Sequence, residues 1–228
     1  MEIRVLSSIA TREAYLELVP QFEKASGHKV TTAWSGTTAI MKTMADGNEQ
    51  HDLVIISSTE MEELIKQAKI VAGSRADLSK SGIGIAVRAG AKRPDVSTPD
   101  ALKKALLAAK TVGYTSGPSG VYMAGLVERM GIAAEVKAKF RSVPSGGTIG
   151  TIVASGDCEI GFQQVSELVH IPGVDYIGPL PAEVQRVTVF SIGLQTGAPN
   201  PGPAKALVAF LTTPAAVAVM QKHGLEPA

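Results

Sequence analysis

Four loops of this sequence share one composition and one setting. Ser7-Ser8-Ile9-Ala10-Thr11, Ser35-Gly36-Thr37-Thr38, Ser116-Gly117-Pro118-Ser119-Gly120 and Ser145-Gly146-Gly147-Thr148 each sit between a strand-like run and a helix-like run. The first turn of a helix carries N–H groups without intrahelical partners and about half a positive charge. Glycine lets a ligand approach the backbone, and Ser or Thr hydroxyls add donors. In a parallel sheet, loops that follow strand C-termini gather along one edge. Several such turns together would hold an oxyanion or a carboxylate without lysine or arginine. Ordinary N-capping accounts for any one loop; the case for a ligand rests on repetition at equivalent positions. The loops offer Ser7, Ser8, Ala10, Ser35, Thr37, Ser119, Gly120, Gly146 and Gly147 as contacts.

Other residues belong near these loops. Gln163 and Gln164 end an apolar run. Alternate side chains of a strand point oppositely, so one should face the ligand and one the interior, with Gln164 the expected contact. Its amide both donates and accepts, which suits a carboxylate or hydroxy acid. For proton transfer the candidates are His170, Glu167, Tyr122 and Glu13, none fixed by a spacing motif. Arg12 is within reach of a carboxylate but reads rather as a solvated side chain, and Trp34 and Asp52 read as structural. No phosphate-cradling G-x-x-x-x-G-K-[ST] and no G-x-G-x-x-G placed after a strand is present, which argues against a nucleotide enzyme.

Composition narrows the field. The chain has 228 residues, 45% hydrophobic and 19% charged, a folded composition large enough for two lobes. Lys and Arg number 22 and Asp and Glu 21, so no basic surface is expected for nucleic acid or anionic lipid. One cysteine, Cys158, excludes an intramolecular disulfide and a thiolate cage. The four histidines have no zinc spacing, so no metal and no cofactor is expected. Aromatics at 4% leave little for base stacking. No apolar run approaches the ~20 residues of a membrane span. The chain enters a strand pattern at once; the expectation is a periplasmic protein if a leader has been removed, and a cytoplasmic one otherwise.

Strands and helices alternate. Ile3 to Leu6, Lys29 to Trp34 and Leu53 to Ile56 read as strands, separated by helices with apolar stripes at Ala14 to Phe22 and Ile40 to Met44 and followed by Met61 to Ala68. Ile83 to Arg88, Thr111 to Tyr114, Glu159 to Gln163 and Val187 to Leu194 are further strands. Helices are expected after Thr98-Pro99, from Gly120 to Met130, and at Ala204 to Leu211 and Ala215 to Lys222. This order predicts an α/β protein of two lobes with mainly parallel central sheets and a cleft between them. The expected division is 1–82 with 192–228 against 83–191.

With those elements in place, the chain resembles the type II periplasmic-binding-protein superfamily in its molybdate-binding branch. The resemblance is carried by Ala14-Tyr15 to Phe22-Glu23, Ser35-Gly36-Thr37, His51-Asp52-Leu53-Val54-Ile55, Pro118-Ser119-Gly120, Gly156-Asp157-Cys158-Glu159-Ile160-Gly161 and Phe210-Leu211-Thr212-Thr213-Pro214-Ala215-Ala216. It implies two lobes joined by two crossings and closing as a hinged trap. It implies contacts from the Ser8–Ala10 loop, Thr37, Ser119, Gly146 and Gln164, and membrane subunits of an ABC transporter as partners. Two positions depart from the molybdate pattern: Ala10 stands where serine is usual, and Gln164 where tyrosine is usual. The expected function is therefore capture of a small anion, either a carboxylate or a tetrahedral oxyanion. The alternative is an isomerase of an unsaturated tricarboxylate, aconitate-isomerase-like, on the same scaffold. An effector domain of a transcription regulator is disfavoured, since no helix-turn-helix or basic patch is evident.

Overall fold

The computed structural model describes residues 1–143 and 147–228. They form two compact units, Met1–Ser81 with Thr188–Ala228, and Gly82–Val187. In the first unit β1 (Glu2–Ser8) lies between β2 (Lys29–Ser35) and β3 (Leu53–Ser57), parallel to both. β9 (Val187–Leu194) adds antiparallel to β3. Side-chain alternation divides these strands between two cores. Ile3, Val5, Leu53 and Ile55 pack with α1 (Arg12–Ser26), α9 (Pro201–Leu211) and α10 (Pro214–Lys222) through Leu18, Leu207, Leu211 and Met220. Leu6, Val54 and Ile56 pack with α2 (Thr37–Asp46) and α3 (Ser58–Lys66) through Ile40, Met44, Met61 and Leu64. All five residues of β3 are buried, as its continuous apolar run demands of a strand covered on both faces.

The second unit is built on β4 (Ala76–Arg88), whose first half belongs to the first unit. β7 (Ile160–Gln164) pairs with β4 antiparallel, and β5 (Val112–Thr115) runs parallel to both β7 and β6 (Phe140–Val143). α4 (Pro99–Ala108), α5 (Pro118–Arg129) and α6 (Ala133–Lys137) cover one core, around Ile83, Ile85, Val112 and Phe162. Thr98 caps α4, its Oγ1 accepting the Ala101 N–H at 3.1 Å. α7 (Ile149–Ser155) packs so closely on the sheet that a Cβ on Gly161 would lie 2.5 Å from Ile149. Cys158 sits buried there, and burial pushes its thiol up to about 11, so it is a small core residue and not a nucleophile.

Several elements differ from the sequence reading. β4 begins at Ala76, not at Ile83, because its polar residues are provided for: Asp77 accepts from Ser191 and pairs with Arg75. α6 and β8 (Val174–Pro179), the latter antiparallel to β4, were not expected and are too short to show a period.

Asp52 ties the first unit together. One carboxylate oxygen accepts the N–H of Arg4 on β1 at 2.8 Å, and the other accepts the N–H of Asn200 at the start of α9. Its backbone bonds to Arg4 and Gln195. The residue is fully buried. Asp52→Ala would leave two donors unpaired, at about 1–3 kcal/mol each. Urea unfolding of this variant is expected to show a loss of about 2–5 kcal/mol with an unchanged m-value.

Candidate functional site

In the first unit the sheet register brings two of the loops together. Ser7 stands opposite Trp34 and Ser8 opposite Ser35, so β1 and β2 end side by side. Beyond β1 the chain makes one 3-10 turn, Ile9–Thr11, before α1. Ser8 Oγ accepts the Ala10 N–H at 3.4 Å, and Thr11 Oγ1 donates to the Ser8 carbonyl. Ser7 and Thr11 hydroxyls meet at 3.2 Å. Ser7, Ser8 and Ala10 are buried, and Ser35 is half-buried. Beyond β2, Gly36 is the N-cap of α2 in extended conformation, without a side-chain cap. Thr37, buried, opens that helix. The first-turn donors of α2 therefore have no capping side chain.

A fifth loop of the same kind was missed. Ser57 is the N-cap of α3 and its hydroxyl donates to Glu60. The signal was legible as Ser57-Ser58-Thr59-Glu60, an S-x-x-E capping pattern after a strand. The Glu60 carboxylate already occupies this turn.

In the second unit β5, β6 and β7 end at one edge, since Thr115 pairs with Val143 and β7 runs in step with β5. Thr115 Oγ1 accepts the Gly117 N–H at 3.2 Å and lies 3.4 Å from Ser119 Oγ. Ser119 and Gly120 are buried in the first turn of α5. Gly120 has no alternative there: a Cβ would fall 1.5 Å from the Thr115 carbonyl oxygen. Of the fourth loop, Ser145 and Gly146 lie outside the described residues. Gly147 is placed by Gln163, whose Nε2 donates to the Gly147 carbonyl at 3.1 Å while its Oε1 accepts the Ile149 N–H at 2.7 Å. Gln163 thus holds the start of α7. Gln164, also buried, is the N-cap of α8 (Val165–Leu168).

The proton-transfer candidates fare differently. Tyr122 donates its hydroxyl to the Val184 carbonyl at 2.9 Å, under the Arg129 guanidinium. Glu13 is paired with Arg12 at the surface. His170 is exposed, beyond α8. Glu167 stands apart. Its carboxylate is hydrogen-bonded by the Gln163 side chain and the Gln164 N–H, one residue triad with the strand end. Some of its surface meets solvent, but dense packing removes most hydration and pushes the carboxyl up to about 7, against the two hydrogen bonds that lower it.

Two α/β units of mixed parallel and antiparallel strands, the second less parallel than expected because β7 and β8 both run antiparallel to β4, fit a type II periplasmic-binding protein of the molybdate-binding-like branch. A sequence model of the family described as bacterial extracellular solute-binding protein matches residues 3–226, and the chain belongs to that family. It is 34% identical over 230 residues to an aconitate isomerase of a Pseudomonas species, covering 99% of this chain and 87% of that protein. It is 27% identical over 216 residues to the molybdate-binding protein ModA of Azotobacter vinelandii, covering 91% and 83%. Among solved structures, the periplasmic molybdate-binding protein of Azotobacter vinelandii superposes with a TM-score of 0.84 at 18% identity, covering 99% of both chains. The sulfate-binding protein SubI of Mycobacterium tuberculosis H37Rv gives 0.77 at 16% identity, covering 100% of this chain and 87% of that one.

The Glu167 environment predicts a pH dependence of known sign. The folded carboxyl holds its proton up to about 7, whereas the unfolded one loses it near its ordinary value of 4.5. Between those values the folded state binds more protons, so stability falls as pH rises and levels off above about 7. Urea unfolding across this range is expected to show the decline in the wild type and to lose that component in Glu167→Gln.

Proposed function

We propose that this protein binds a small polycarboxylate anion at its helix-start turns. The observation that carries the reading is the pairing of strand ends within each unit. Ser8 beside half-buried Ser35, and Thr115 beside Ser119, set hydroxyls next to first-turn N–H groups. Such donors neutralise an anion by geometry, in a chain whose net charge is only +1. A carboxylate is favoured over a tetrahedral oxyanion by Ala10, which brings no hydroxyl, and by Gln164, whose amide can also accept from a protonated or hydroxylated ligand. As in other solute-binding proteins of this family, delivery to the membrane subunits of an ABC transporter outside the cytoplasm is the corresponding physiological role.

A second reading, isomerisation of an unsaturated tricarboxylate, is favoured by two observations. The Pseudomonas relative bears that activity in its name, at 34% identity across nearly the whole chain. Glu167 supplies a carboxyl that titrates near neutrality beside the end of β7. A double-bond shift needs a base that takes a proton from the allylic CH2, donors that hold the resulting carboxylate-enolate charge, and return of the proton to the other allylic carbon. The helix-start donors meet the second need.

A thermal-shift panel of molybdate, sulfate, citrate, cis-aconitate and trans-aconitate separates these readings. At about 100 times its Kd a ligand adds about 2.7 kcal/mol, and the expected response is to the tricarboxylates. Proton NMR of the same samples is expected to show one aconitate isomer converting to the other if the second reading holds, and unchanged ligand if binding alone is the function. A response confined to molybdate would overturn the carboxylate reading.

A further inference from the structure

The second unit carries a cavity away from its strand-end turns. It has a volume of about 640 Å³ and lies where β4 ends and β7 begins, at Arg88 and Ile160. The turns after Thr115 and Gln164 stand at the other ends of β5 and β7. The volume falls within the ~300–1,000 Å³ of small-molecule sites. Its apolar wall follows from the sequence at the end of α4, Ala105-Leu106-Leu107-Ala108-Ala109. Leu106 turns into the core, while Ala105, Ala108 and Ala109 line the cavity. Larger side chains there would occupy the space that the three alanines leave. Val87 and Ile160 complete the wall from the sheet.

The rim is cationic. Arg88, Lys92 and Arg93 line it. Arg93 is paired with Asp175 at 3.1 Å, but among the described residues Arg88 and Lys92 have no carboxylate partner. Arg88 lies along the loop that leads into β7, where a Cβ on Gly156 would fall 3.3 Å from its Nη1. Two carboxylates also line the cavity. Asp95 accepts the N–H and the hydroxyl of Ser97 at 3.0 and 2.7 Å and feels the charge of Lys104. Glu159 accepts the Lys110 N–H at 2.6 Å. The unfilled hydrogen-bond donors therefore belong to Arg88 and Lys92.

We propose that this cavity is a second binding site, for an amphipathic monocarboxylate whose apolar body covers the alanine wall and whose carboxylate meets Arg88 and Lys92. A guanidinium fork matches a carboxylate with two parallel hydrogen bonds. An exposed ion pair contributes little in water, so charge alone would not hold a ligand here. The apolar wall supplies the larger share, and the cations set the ligand's orientation and sign. A polycarboxylate without an apolar body would leave the wall uncovered, so this cavity and the strand-end turns take different classes of anion.

The probe is octanoate, compared with octylamine and acetate in titrations of isotope-labelled protein followed through backbone amide NMR signals. Octanoate is expected to give saturable shifts at Ala105 to Ala109 and at Cys158 to Ile160. Acetate, which lacks the apolar body, and octylamine, which carries the opposite charge, are expected to leave these signals in place. Arg88→Gln combined with Lys92→Gln, at two exposed positions, is expected to weaken octanoate about tenfold. Ala108→Leu, at an exposed helix position, is expected to weaken it at least as much by filling the wall. Octylamine binding as tightly as octanoate would overturn the carboxylate assignment. The site itself would be overturned by the absence of a saturable octanoate shift, by shifts confined to other residues, or by unchanged affinity in Ala108→Leu.

Discussion

A helix start can offer its unpaired N–H groups to a ligand only if the strand before it ends in the right place, and that closeness governs the small residues of the strand-end turns. Gly120 sets the scale. The first turn of α5 rests on the last residue of β5 so tightly that even a methyl group would occupy the Thr115 carbonyl. Thr115 then turns its hydroxyl to the Gly117 N–H and toward Ser119. In the other unit Ser7, Ser8 and Thr11 satisfy one another across the turn between β1 and α1. Of the turn's own N–H groups, Ala10's is taken by Ser8 Oγ. Sheet, core and loops are arranged around this demand, and it explains how a nearly neutral protein could hold an anion.

The two cores deliver that precision. Because Ile3, Val5, Leu53 and Ile55 face one set of helices and Leu6, Val54 and Ile56 the other, the strands are gripped from both sides. A strand so held cannot slip its register without turning every buried side chain to the wrong face. Asp52 adds a polar tie among β1, β3 and α9. The ends of β1 and β2 are thereby fixed next to each other, which no property of either loop alone would ensure.

Much of this was legible in the sequence. Long periodic segments such as α1 and the uniformly apolar β3 announced themselves, as did the strand-loop-helix repetition. Asp52 was rightly read as structural, for a carboxylate before a buried strand has backbone donors at hand. What stayed hidden depended on partners far away in the chain. The first half of β4 looks polar because its Asp77 answers Arg75 and Ser191, and its Lys80 answers the tail. The division of labour between Gln163 and Gln164 also escaped a rule of alternation. That rule placed one inward but could not say that Gln163 would hold Gly147 and Ile149. Glu167 carried no spacing signal; its character comes from packing and from two donors contributed by the strand end.

The central claim is that the helix-start turns themselves meet the ligand. The most direct test is a titration of isotope-labelled protein with trans-aconitate, followed through its backbone amide NMR signals. The account predicts that the largest shifts fall on Ser8 to Ala10 and Thr37 to Thr38 in one unit and on Ser119 to Gly120 in the other. Binding accompanied by shifts elsewhere, with these turns unmoved, would contradict it.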